Sequence, residues 1–192
     1  MQLCSVNIDE IFKHCKMKNF NVPTREEVSA NNQAIFDDLN KGLGFVPNLY
    51  AAMAHSENGL GRYLAFQGAK TSLNNKEKEA VNLVVSQVNE CRYCQSAHSV
   101  LGKMNGFEED EILLLRNGNS SNEKINSLVV LTKALTEQKG KVNDTLVQNF
   151  FDQGYTKEHL VDLIIQIGDK IVMNYLHNLT QIEIDFPIAP EL

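Results

Sequence analysis

The 192-residue sequence has no tryptophan, only 4 prolines, only 4 cysteines and no surplus of basic charge. Lys and Arg number 18 against 24 Asp and Glu, which leaves a formal net charge of −6. No Lys/Arg-rich stripe interrupts that acidic balance, so nucleic-acid phosphates are not expected as partners. No apolar run approaches the ~18 residues that a membrane span needs. Asn7, Asp9 and Glu10 interrupt the start before an apolar stretch can form, so no export signal and no membrane association are expected. The chain therefore reads as a soluble, cytoplasmic protein in a reducing compartment, where four cysteines do not make a disulfide scaffold. With 11 glycines and no long biased tract, collagen-like and low-complexity classes are excluded.

What is present is helical punctuation. Residues 1–18 read as an N-terminal extension and residues 19–192 as one helical domain. Pro23-Thr24-Arg25-Glu26-Glu27 predicts a helix start capped by Thr24, with its stop at Lys41-Gly42. Pro47 opens a second helix over 48–56, and Asn58-Gly59 separates it from a third over 59–70. Asn74 or Asn75 starts the next, on which Ala80, Val81, Val84, Val85 and Val88 recur at helical spacing and form one apolar face. Helices are further expected over 91–105, 107–115, 122–138, 143–152 and 156–180. Alternating patterns of the β type are missing, and the fold class is all-α. Gly106-Phe107 and Gly154-Tyr155, with Leu83 and Leu131, echo each other at a 48-residue spacing, which fits either a duplicated helical unit or coincident punctuation. That spacing sets Lys139, Val142 and Leu146 against Cys91, Cys94 and His98.

Those last three residues, with Glu79, carry the chemistry. On a helix, Cys91 and Cys94 lie about 60° apart and His98 within about 40° of both, so all three share a face. Thiols at i and i+3 near a helix start can form a disulfide and open it again, and the helix N-terminus lowers a thiol pKa. A histidine one turn on can move a proton, and Glu79 on the preceding helix can complete a relay. A structural zinc site is a rival use of CxxC, but no second CxxC or HxxxH cluster accompanies it. A thioredoxin-type motif fails because it requires a strand before the CxxC.

Glu77-Lys78-Glu79-Ala80-Val81, followed by Val88-Asn89-Glu90-Cys91-Arg92-Tyr93-Cys94-Gln95-Ser96-Ala97-His98, resembles the carboxymuconolactone decarboxylase family. More narrowly it resembles the branch related to alkylhydroperoxidase D, which carries Glu, eleven residues, CxxC, three residues and His. Gly44-Phe45-Val46-Pro47-Asn48, Met104-Asn105-Gly106-Phe107 and residues 174–187 resemble the peroxidase-related subgroup, and the likeness spans about residues 20–190. The resemblance implies a thiol-dependent peroxidase for organic hydroperoxides or hydrogen peroxide, serving antioxidant defence. Cys94 would be the peroxidatic thiolate that becomes a sulfenic acid, and Cys91 the resolving thiol that closes the disulfide. Glu79 and His98 would relay protons, and an external dithiol would reduce the pair, with no metal, haem or other cofactor. The sequence departs from the best-known alkylhydroperoxidase at Tyr93, where that enzyme has a histidine.

The family also implies a homo-oligomer, hexamer or trimer, and Ile164, Ile165, Ile167, Ile171, Val172 and Met173 are candidates for subunit packing. His55 and Tyr63 are secondary candidates for the pocket lining, and Asn174 and His177 share one helical face near the C-terminus. Cys4 and Cys15 match no family position. Phe45, Phe66, Phe107 and Phe150 are expected in the core. Two other readings compete: a decarboxylase of the namesake type, and a redox-sensing or partner-binding protein that uses the same disulfide as a switch.

Overall fold

A computed structural model describes residues 20–192. The expected extension, with Cys4 and Cys15, lies outside the described residues. Within them the chain is all-helical, without strands. A 3₁₀ turn at Arg25–Glu27 precedes nine α-helices: α1 Ala30–Leu43, α2 Asn48–Met53, α3 Gly59–Gln67, α4 Asn75–Val88, α5 Arg92–Met104, α6 Glu109–Arg116, α7 Glu123–Glu137, α8 Asp144–Asp152 and α9 Lys157–Thr180.

The first helix differs from the sequence expectation at both ends. Thr24 does form a capping box with Glu27, but it caps only the short 3₁₀ turn. Val28 then takes an extended conformation and buries its side chain against α1–α3, so the chain has to restart at Ser29, whose Oγ accepts from Asn32 N–H at 3.4 Å. At the far end, α1 runs through Gly42 and closes at Gly44, where φ is 84°.

Helix α4 organises the domain. Asn74 and Glu77 cap it reciprocally, with bonds of 2.9 and 3.0 Å. Its valine pattern predicts one apolar face, yet every residue from Ala80 to Ser86 is buried, because α5, α6, α7 and α9 pack around it. The polar residues on it are satisfied from neighbours: Gln166 Nε2 donates to Asn82 Oδ1 at 2.8 Å, and Asn174 Nδ2 to Ser86 Oγ at 3.4 Å.

The connection to α5 is tight. Glu90 takes a left-handed φ of 55° and Cys91 N–H bonds back to Ser86 O at 2.9 Å. This reversal lays α5 back along α4. Gly106, with φ 84° and the bond Phe107 N–H to Gly102 O, makes the same turn after α5.

The 48-residue echo is visible in the helix boundaries. Helices α4 and α7 begin at Asn75 and Glu123, α6 and α9 at Glu109 and Lys157, and Gly106 and Gly154 share left-handed φ values of 84° and 86°. Leu83 and Leu131 are both fully buried. The copies diverge where the chemistry sits, since α8 is shorter than α5 and carries neither cysteine nor histidine.

Phe107 and Phe150 lie in the core as expected, the latter stacked on Tyr155 at 4.3 Å between ring centroids. Phe45 and Phe66 do not; they are 37% and 44% exposed. Phe66 falls off the inward row of α3, which is Leu60, Tyr63, Leu64 and Gln67, while Phe45 stands on the α1–α2 turn edge-on to Phe186 at 5.7 Å. Along α9, Ile167 and Met173 are buried, whereas Ile164, Ile165 and Val172 lie on an exposed apolar row with Val161, Tyr175 and Leu179. No helix among the described residues is long and apolar enough to cross a membrane.

After α9 the chain returns across α2, α5 and α6. Arg92 Nη2 donates to Ala189 O and Arg116 Nη1 to Pro190 O, each at 2.8 Å, and Asp185 Oδ2 accepts from Asn48 N–H at 2.8 Å. These bonds fix Phe186 over the α2–α5 side of the molecule. Truncating Phe150 to Ala, in the second helical copy and remote from the cysteines, should lower unfolding free energy by about 3–5 kcal/mol in urea titration.

Candidate active site

Cys91 is the N-cap of α5, and Cys94 occupies the third helical position. The Cys91 Sγ accepts from the Cys94 backbone N–H at 3.3 Å, so the sulfur does the work a serine oxygen usually does at such a start. Both cysteines are free thiols. They are not equivalent: Cys91 is wholly buried, while Cys94 forms part of the wall of a cavity of about 450 Å³. Glu79, Tyr93, His98 and Lys170 line the same cavity.

Glu79 reaches across from α4 to α5, where its Oε2 lies 2.7 Å from His98 Nδ1. Glu79 Oε1 also accepts from Asn82 Nδ2 at 3.3 Å. Burial and then the Lys170 ammonium hold His98 below the ordinary histidine pKa, more strongly than Glu79 raises it. Burial would raise Glu79, but His98 and Lys170 outweigh it and leave the carboxyl below its usual range. The contact is thus a neutral imidazole donating from Nδ1 to a carboxylate rather than an ion pair. The Nε2 lone pair stays available as a base.

The two sulfurs are polarised in opposite directions. Burial alone would push Cys94 up, but the hydrogen bond from the Cys91 thiol, the Lys170 ammonium and the Asn174 amide together bring its pKa below the ordinary thiol value. Cys91 moves up, because it donates to Cys94 and because it is buried. Cys94, facing the cavity, is thus the more acidic thiol of the pair, and Cys91 behind it the less acidic.

Lys170 was not singled out in the sequence. It is 2% exposed, and its Nζ lies 3.7 Å from Asp169 Oδ2. Burial opposes its charge, yet Asp169, Cys94, Tyr50 and Glu79 raise its pKa, so it remains an ammonium. A signal existed. Gln166, Lys170, Asn174 and His177 form a polar row on one face of α9, between the apolar residues Leu163, Ile167, Ile171 and Met173. Gln166 and Lys170 line the cavity, Asn174 Oδ1 accepts from Asn89 Nδ2 at 3.0 Å beside the sulfurs, and His177 packs 5.4 Å from the Tyr93 ring. His177 donates to Ile182 O at 3.3 Å and is held low in pKa by its burial.

Tyr93 lines the cavity and accepts from Leu49 N–H at 3.3 Å; burial, then the neighbouring Asp185, push its pKa up, so it stays a neutral phenol. Tyr63 also lines the cavity, with its oxygen accepting from Gln67 Nε2 at 2.9 Å. His55 is elsewhere, exposed beside Asn21 O at 2.8 Å and edge-on to Phe20.

The described residues thus combine an all-helical fold with a thiol pair at a helix start, backed by a glutamate and a histidine. Residues 47–137 match the model of the carboxymuconolactone decarboxylase family. No curated protein gives a significant match. Among solved structures the chain is similar to a peroxidase-related protein of Silicibacter sp. TM1040, with a TM-score of 0.75 at 18% identity, covering 86% of this chain and 92% of that one. It is likewise similar to the alkylhydroperoxidase AhpD core protein of Ralstonia eutropha JMP134, with a TM-score of 0.74 at 17% identity over 82% and 86% of the two chains. The debrominase Bmp8 in complex with 2,3,4-tribromopyrrole follows, with a TM-score of 0.72 at 14% identity over 87% and 91%.

The pH dependence of Cys94 alkylation by iodoacetamide, read by peptide mass, tests the electrostatics. Only the thiolate reacts, so the rate should fall as pH drops through a midpoint below that of an ordinary thiol. Lys170→Met removes the positive charge and should raise that midpoint by at least about one pH unit. An unmoved midpoint would show that Lys170 does not hold the thiolate.

Proposed function

We propose that the protein is a thiol-dependent peroxidase that reduces hydroperoxides through the Cys91–Cys94 pair. The observation that carries this reading is the geometry of the pair, with Cys94 at the wall of a cavity that Glu79, His98 and Lys170 also line and Cys91 enclosed behind it, its Sγ 3.3 Å from the Cys94 N–H. The Cys94 thiolate attacks the terminal oxygen of R–O–OH, the O–O bond breaks, and Cys94 becomes the sulfenic acid while RO⁻ departs. His98 takes at Nε2 the proton that the Cys94 thiol gives up on ionising and delivers it to the alkoxide, with Glu79 stabilising the transient imidazolium. The Cys91 sulfur then attacks the Cys94 sulfur, the disulfide forms, and water leaves with the Cys91 proton. An external dithiol returns both cysteines to the reduced state, so ROOH and one dithiol give ROH, water and one disulfide.

The wall of the cavity supports an organic substrate. Leu49, Ala97, Val100, Leu101, Met173 and Phe186 surround the sulfur, and the exposed side chains of Leu43, Phe45 and Met104 add to the same lining. Tyr93 contributes a neutral hydroxyl rather than a third proton carrier, so the relay here has two members.

Consumption of cumene hydroperoxide with dithiothreitol tests the assignment. Wild type should turn over and Cys94→Ser should lose activity by at least about a hundredfold, on the scale of removing an activated nucleophile. Cys91→Ser should form one sulfenic acid per chain, trapped by dimedone, without closing an intramolecular disulfide. Equal rates in wild type and Cys94→Ser would remove the peroxidase assignment. Debromination of 2,3,4-tribromopyrrole without any hydroperoxide consumption would replace it with reductive dehalogenation.

A further inference from the structure

A second hollow adjoins the reaction cavity. It is an open groove of about 440 Å³ between α1 and α3, lined by Ile35, Leu39 and Leu64 with Asp38 and Gly42. Leu43, Tyr50 and Gln67 line both the groove and the cavity, so the two spaces meet at these three side chains. Their polar atoms are already used: Tyr50 Oη donates to Gln67 Oε1 at 2.6 Å and Gln67 Nε2 donates to Tyr63. What the shared wall offers a ligand is therefore mainly the Leu43 side chain and the face of a tyrosine ring. Ile35 and Leu39 stand one turn apart on α1, and Leu64 faces them from α3.

Because the groove adjoins the cavity along this shared, mainly apolar wall, we propose that it is a subsite for an unbranched apolar tail, which passes over Leu43 and whose hydroperoxide end lies at Cys94 in the cavity. The inference rests on the peroxidase reading and narrows its substrate to long-chain alkyl or acyl hydroperoxides. Short branched peroxides would fill the cavity alone. The chemistry of the groove agrees with an uncharged tail. Asp38 is its only carboxylate and it holds no basic residue, so a free carboxylate on the substrate finds no counter-charge there. Burying the tail beside Leu39, Leu43 and Leu64 supplies binding energy remote from the reacting oxygen, which enzymes use to position the reacting end.

Gly42 gives a direct test. It lies in α1 and lines the groove, and a Cβ built there meets nothing within 4 Å. A side chain at this position extends into open space, and replacing glycine within a helix favours folding. Calorimetric titration with 1-dodecanol, an analogue of the alcohol product, should show binding to wild type and to Gly42→Ala. Gly42→Phe should weaken it by about tenfold, the equivalent of roughly two buried methylenes. The ratio of kcat/KM for methyl linoleate hydroperoxide to that for tert-butyl hydroperoxide should fall by a similar factor in Gly42→Phe.

Equal dodecanol affinities in wild type and Gly42→Phe would overturn the proposal. So would a change in oligomeric mass of Gly42→Phe, measured by light scattering, with dodecanol affinity unaltered, since the groove would then belong to a second copy of the chain. Dodecanol binding that weakens in Gly42→Phe, in a wild type that consumes no hydroperoxide, would remove the peroxidase reading and leave the tail subsite standing.

Discussion

A lysine ammonium enclosed by protein sets the terms for everything around it. Transferring such a charge out of water costs several kcal/mol even after relaxation, so a buried Lys170 persists only where negative charge surrounds it. Asp169 supplies one counter-charge at 3.7 Å, Glu79 another, and the Cys94 sulfur a third. The same ammonium, after the Cys91 hydrogen bond, draws the Cys94 pKa down, adds to the effect of His98 on Glu79 and adds to burial in lowering His98. One cation thereby shifts the pKa values of three side chains on two other helices in the same direction.

The second organising feature is directional. Both cysteines belong to a single helix start, but the turn at Glu90 folds Cys91 into the protein and leaves Cys94 toward the cavity. A helix N-terminus favours thiolate character in any cysteine near it. Which of the two ionises is decided by the proton each shares with the other, by the Asn174 amide and by access to Lys170. The more acidic sulfur faces the cavity, and the thiol behind it is in hydrogen-bonding contact with the same residue. The two sulfurs are thus ordered by the backbone turn itself.

The two halves of the 48-residue echo show how loosely punctuation and chemistry are coupled. Helix starts, left-handed glycines and buried leucines recur at one spacing, because a capped amphipathic helix needs only a few residue types at fixed intervals. The reactive groups occur in α5 and have no counterpart in α8. Duplicated punctuation is therefore evidence about architecture and says little about activity.

Local features were legible in the sequence for a local reason. Caps act within one turn, so Asn74, Pro47 and Gly106 mark boundaries the structure keeps, and the Cys91, Cys94 and His98 face follows from helical geometry alone. The start of α1 was misread because burial of Val28, a tertiary contact, overrode the Thr24 cap; the burial of α4 on all sides was hidden because four other helices create it. Lys170 lies far along the chain from Glu79 and Cys94, and a lysine in an apolar helix reads the same whether it reaches solvent or a thiolate. The sequence by itself determined an all-helical chain with two thiols and an imidazole on one helical face. Tertiary packing alone decided which thiol is the more acidic and what it faces, because charge–charge energies depend on distances and burial that arise only when α4, α5 and α9 meet.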